Sequence, residues 1–267
     1  MTSSRGLHAA TIARAAAPVL LVLGAMALPW FAGPATLLLA GGVAVAVGRS
    51  APVAWAWAAM VPAAALAAVR AFSGVEPFDA AATCDAFGAP RVTWALAEAI
   101  VVLAAFTALA IVLRTRRASV GLRMPTRASV RLAITGFGLL AIGSIVAVSV
   151  TGRSIPGPTG GEPSTLEFVA AVLVGAAAIS LAEELAFRGV LQHWLARTVG
   201  EAPAIVVQAV AYGVWVAAVG WGPAFGVAAG VAGLVAGVLT ARSKSLLVVL
   251  AWHAGVAIGL LAAMLCG

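Results

Sequence analysis

Long apolar runs almost empty of charge decide what this chain can fold into. Nine such runs stand out: Ala15–Gly33, Ala35–Gly48, Ala51–Val69, Val92–Leu113, Leu132–Val150, Leu166–Arg188, Pro203–Val219, Pro223–Ala241 and Ser245–Leu265. A bilayer core of about 30 Å is crossed by roughly 20 apolar residues in a helix. Across 267 residues, 63% are hydrophobic and only 9% are charged. A soluble domain carries about 25% charge, and a disordered chain needs the opposite balance. A transmembrane β-barrel alternates apolar and polar residues in short segments, whereas these runs are continuous. The expected fold is therefore all-α, a polytopic transmembrane helical bundle of eight or nine spans. The second run is short and follows Pro34, so the first two form a re-entrant pair in the eight-span alternative.

The cations fix the expected orientation. There are 16 Lys and Arg against 9 Asp and Glu, a net charge of +7. They lie in short loops, which marks them as topology signals rather than a nucleic-acid surface. Arg114, Arg116, Arg117, Arg123, Arg127 and Arg131 share one loop, which the positive-inside rule makes cytoplasmic. Counting spans outward puts Arg5, Arg14, Arg49, Arg188, Arg197, Arg242 and Lys244 on the same side. Loop Arg70–Arg91, with Glu76, Asp79 and Asp85, falls outside. Nine spans with a cytoplasmic N-terminus satisfy the rule throughout, as in a multi-pass plasma-membrane protein. The first run continues into further spans and reads as a retained helix rather than a cleaved signal. Thr151–Ser164, rich in Gly, Pro and Ser, reads as a linker between N-terminal helices (1–150) and a C-terminal core (151–267). Cys84 and Cys266 form neither a disulfide framework nor a metal-ligand spacing. The tryptophans at 55, 57, 94, 215, 221 and 252 lie mostly near span ends, as an interfacial belt does. Scarce lysine with abundant Ala, Val and Arg fits a bacterium of high GC content.

Few ionisable residues lie within the spans: Glu98, Glu183, Glu184 and His253, with Arg188 near an end. A charge at mid-bilayer costs roughly 2.5–3.5 kcal/mol on insertion scales, so each marks a candidate site. Ser164 and Glu167 form a capping box that starts the helix carrying the glutamate pair. Glu183 then lies roughly 25 Å along it, in the cytoplasmic half of the bilayer. Glu184 and Arg188 are four apart and share a face, which suits an ion pair. Glu183 points about 100° away. One carboxylate held by arginine beside a free one suits a division of labour: the first orients, the second acts as a general base on water. The same residues also suit a buried clamp between helices. His253 sits mid-span in the last run. His193 reads as interfacial, and His8 lies on the N-terminal tail. Glycines 226, 230, 233 and 237 make one smooth face for close helix approach, with a dimer face as the alternative use.

The stretch Leu181-Ala-Glu-Glu-Leu-Ala-Phe-Arg-Gly-Val-Leu-Gln resembles the first motif, Glu-Glu-x-x-x-Arg, of the CPBP family of intramembrane endopeptidases. These are related to the CAAX prenyl-protein processing protease and to bacteriocin-processing and self-immunity proteins. The resemblance covers roughly Ser164–Leu265. The family's second motif, Phe-x-x-x-His, corresponds to Tyr212-Gly-Val-Trp-Val216, with valine in place of histidine. Its third motif, His-x-x-x-Asn or Asp, corresponds to His253 followed by Ala257. The resemblance implies peptide-bond hydrolysis near the cytoplasmic face, with Glu183 as base and His253 as polariser or oxyanion partner. Glu184, Arg188 and Tyr212 would support them. The missing histidine and amide imply the alternative, a non-catalytic membrane scaffold, regulator or immunity protein. No cofactor is expected. A metal stays open, with only Glu183, Glu184 and His253 on offer where catalytic zinc usually takes three protein ligands. The expected partners are the bilayer and a peptide or membrane protein, with no nucleic acid. Prenylated proteins are not the expected substrate in a bacterium. A proton-relaying transporter or channel subunit is the remaining class, and no paired inverted segments support it.

Overall fold

The computed structural model describes residues 125–150, 164–217 and 222–265, together with scattered positions between 87 and 107. The first three candidate spans, most of the fourth, linker residues 151–163, Glu98, His8, both cysteines and the loop arginines at 114–123 lie outside the described residues. So do Glu76, Asp79, Asp85 and the tryptophans at 55, 57, 94 and 221.

The described residues are helical and contain no strand. Helix α1 spans Arg127–Val150 and α2 spans Thr165–Glu184. The α2 helix runs without a break into a π-helical segment, Leu185–Gln192, and then into α3, His193–Val199. Helix α4 spans Glu201–Val216, α5 Gly222–Ser243 and α6 Leu247–Leu265. Stretches Arg127–Ala147, Thr165–Arg197 and Pro223–Ser243 are long and apolar enough to cross a membrane. Glu201–Val216 and Leu247–Ala262 are apolar but shorter. Large apolar side chains such as Leu139, Leu166 and Val227 are exposed, while Glu183, Glu184, Arg188, Gln192 and Gln208 are buried. That inversion is what a bilayer demands, since lipid accepts apolar surface and rejects polar groups.

Local signals explain the ends. Ser164 Oγ accepts from the Glu167 backbone N–H, and Glu167 returns the bond to the Ser164 N–H at 2.8 Å. This is the capping box expected from sequence. Gly200 ends α3 at φ 92°, a left-handed conformation that favours glycine. Lys244 takes φ 55° at the end of α5, where its N–H returns to Thr240 O.

Small residues let the helices touch. A Cβ on Gly226 would come within 2.7 Å of Gly213 O, and one on Gly233 within 3.2 Å of Ala209 Cα. The glycine face therefore packs α5 onto α4, inside one chain. Two buried amides also hold α5: Gln208 Nε2 of α4 donates to Gly233 O at 2.8 Å, and Gln192 Nε2 of the π segment to Gly237 O at 2.9 Å. On the other side, α6 lies along α1. Ser144 Oγ reaches Gly255 O at 3.2 Å, and Trp252 Nε1 donates to Leu132 O at 3.0 Å. Helix α6 also closes on α2 through Ala171, Val172, Ala176, Ala257 and Leu261. The glutamate end of α2 is thus enclosed by α4, α5 and α6.

Candidate active site

Helix α2 delivers Glu183 and Glu184 on consecutive positions, and Arg188 follows in the π segment. All three are buried, at 5%, 2% and 2% exposure. A π-helical turn carries more than four residues and often occurs at functional sites. Arg188 still reaches back four residues: its Nη1 donates to Glu184 Oε1 at 3.0 Å. Its guanidinium carbon also lies 4.2 Å from the centre of the Tyr212 ring, a cation–π contact from α4. One cation thus ties the α2 carboxylate to the aromatic of α4.

His253 comes from α6. Its Nδ1 lies 2.9 Å from the same Glu184 Oε1, and its Nε2 lies 3.6 Å from Glu183 Oε2. An ionised carboxylate only accepts, so the Nδ1 facing Glu184 carries the hydrogen. The Tyr212 hydroxyl stands 3.5 Å from Nε2. The sequence-predicted residues Glu183, Glu184, Arg188, Tyr212 and His253 therefore lie together, drawn from α2, the π segment, α4 and α6. His193 is half-buried and forms no part of this cluster.

One participant escaped the sequence reading. Trp215 is not an interfacial residue: it is 4% exposed, and its Nε1 donates to Glu183 Oε1 at 3.2 Å. An indole N–H only donates, so the direction of the bond is fixed. The available signal was its spacing of three from Tyr212, which puts both on one helical face. Phe187 fills the space between them, with ring centroids 5.2 Å from Tyr212 and 6.3 Å from Trp215.

The cluster borders a cavity of about 480 Å³ between α2, the π segment, α4, α5 and α6, with Leu140 of α1 at its wall. Glu183, Glu184, Arg188, Tyr212 and His253 line one part of it, and nearly all the rest is apolar. Val216 and Ala257 also line it. The two positions where the resemblance would place histidine and asparagine thus face the same chamber, carrying hydrocarbon. Among the described residues, no three His, Cys, Asp or Glu side chains are placed to hold a metal ion. The donor set fits poorly too, since Arg188 engages Glu184 and Trp215 engages Glu183.

Residues 165–259 match the family model described as Type II CAAX prenyl endopeptidase Rce1-like. No curated protein and no solved structure matches the chain.

Proposed function

We propose, from the match of residues 165–259 to the Rce1-like family model, that the chain is an intramembrane endopeptidase driven by Glu183. The observation that carries the reading is the 3.6 Å approach of Glu183 Oε2 to His253 Nε2 at the wall of an apolar cavity. A carboxylate and an imidazole within one water's reach are a general base and an electrostatic partner. Glu183 takes the proton of a water that attacks the peptide carbonyl. His253 in its imidazolium form donates Nε2–H to the carbonyl oxygen, while Glu184 and Arg188 hold its ring. No metal takes part. The substrate is a peptide segment apolar enough to enter the cavity. We place this site in the cytoplasmic half of a bacterial plasma membrane, within eight or nine spans whose N-terminus is cytoplasmic.

The test is hydrolysis by the purified full chain in proteoliposomes, probed with a quenched-fluorescence library of uncharged peptides. Native protein cleaves, and Glu183→Ala abolishes cleavage while retaining the native helical circular dichroism. Cleavage that survives Glu183→Ala contradicts the proposal.

A second reading rests on Val216 and Ala257, which face the chamber without a polar atom. On it the chain is a non-catalytic scaffold, regulator or immunity protein, and the Glu184–Arg188–His253 cluster joins helices. This reading predicts no Glu183-dependent cleavage by native protein.

A further inference from the structure

Most polar atoms of the cluster have fixed partners. Glu184 Oε1 takes both Arg188 and His253 Nδ1, and Glu183 Oε1 takes Trp215. Glu184 Oε2 and Arg188 Nε find no partner, and around His253 Nε2 stand Glu183 Oε2 at 3.6 Å and the Tyr212 hydroxyl at 3.5 Å. The latter distance is at the outer limit of a hydrogen bond, so the hydroxyl is not locked in place. Nor does packing require it. The Tyr212 ring is held by Arg188 at 4.2 Å and by the edge of Phe187 at 5.2 Å, contacts that phenylalanine would keep. The hydroxyl also lies within reach of Glu183, so it stands beside both the carboxylate and the imidazole. It borders a cavity whose wall is hydrocarbon at Val216 and Ala257.

We infer that the Tyr212 hydroxyl is a catalytic hydrogen-bond donor to the reacting carbonyl oxygen, at a wall that is hydrocarbon at Val216 and Ala257. This rests on the endopeptidase reading. As the water oxygen bonds to the carbonyl carbon, its proton passes to Glu183 Oε2 and the carbonyl electron pair moves onto oxygen. Tyr212 O–H donates to that oxygen and keeps its proton. Collapse breaks the C–N bond, and the leaving amine takes the proton from Glu183. Water and peptide become a carboxylic acid and an amine, with no further reactant.

The experiment uses the full chain in proteoliposomes and the same peptide library. Tyr212→Phe lowers kcat about 100-fold, the usual scale for one oxyanion donor, with KM unchanged. Adding Val216→His to that variant recovers part of kcat. The chain contains a single tyrosine, so growth on 3,5-difluorotyrosine alters only this hydroxyl. The stronger donor, of nearly the same shape, raises kcat below the pH at which the phenol ionises. A Tyr212→Phe variant with native kcat, or one altered only in KM, overturns the inference while the endopeptidase reading stands. So does a fluorinated protein with unchanged kcat. Native protein that cleaves no peptide overturns both.

Discussion

His253 and Arg188 converge on a single oxygen, Glu184 Oε1, at 2.9 and 3.0 Å. One carboxylate thereby holds a ring from α6 and a guanidinium from the π segment, and it fixes which imidazole nitrogen faces the chamber. The arrangement separates two tasks between adjacent glutamates. Glu184 Oε1 takes both Arg188 and His253, while Glu183 keeps Oε2 toward His253.

Breaking this junction from one side leaves a buried charge. Glu184→Ala strands Arg188, which is 2% exposed, and removal of one partner from a buried pair costs about 3–5 kcal/mol. The expected outcome is a marked fall in thermal midpoint and in folded yield, measured in detergent by circular dichroism. The paired replacement Glu184→Leu with Arg188→Met recovers much of the stability without recovering cleavage.

Trp215→Phe removes the N–H that holds Glu183 Oε1 at 3.2 Å and keeps an aromatic ring. A hydrogen bond to a charged group contributes about 1.5–3 kcal/mol, which corresponds to a loss of about 10–150-fold if it acts fully in the transition state. Steady-state kinetics should show the loss in kcat. An unchanged kcat would mean that Glu183 is held by other contacts.

Val216 already borders the chamber. Val216→His puts a polar donor or acceptor back into it, and turnover by otherwise native protein should rise. A scaffold whose polar cluster only joins helices gains nothing from the change, so initial rates of peptide cleavage discriminate.

The glycine face offers a test of packing. Gly226→Val must push against Gly213 O and Ala217 Cβ, both at 2.7 Å from the added carbon. Helix α5 then separates from α4, and the folded fraction falls. Gly138→Ala meets nothing within 4 Å and leaves the folded fraction unchanged. Size-exclusion profiles in detergent compare the two.

Much of the C-terminal half was legible in advance because bilayer physics writes in long apolar runs. Leu132–Val150 and Pro223–Ala241 differ by only a few residues from α1 and α5, and Ser164–Glu167 announced the start of α2. The Glu184–Arg188 bond followed from helical spacing. The π segment did not, because its backbone shift leaves no mark in hydropathy. Trp215 was misread because tryptophan at a span end is usually interfacial, and only tertiary packing turned this one toward Glu183. That His253 meets Glu184 across 69 positions of sequence followed from family resemblance rather than from any local pattern.

If Glu183 and His253 act as one unit, a double-mutant cycle reveals their coupling. Peptide cleavage is compared for native protein, Glu183→Ala, His253→Ala and the double variant, all in proteoliposomes. Residues that serve one step lose it together, so the double variant should be no slower than the slower single variant. Losses that multiply across the two positions would contradict the account.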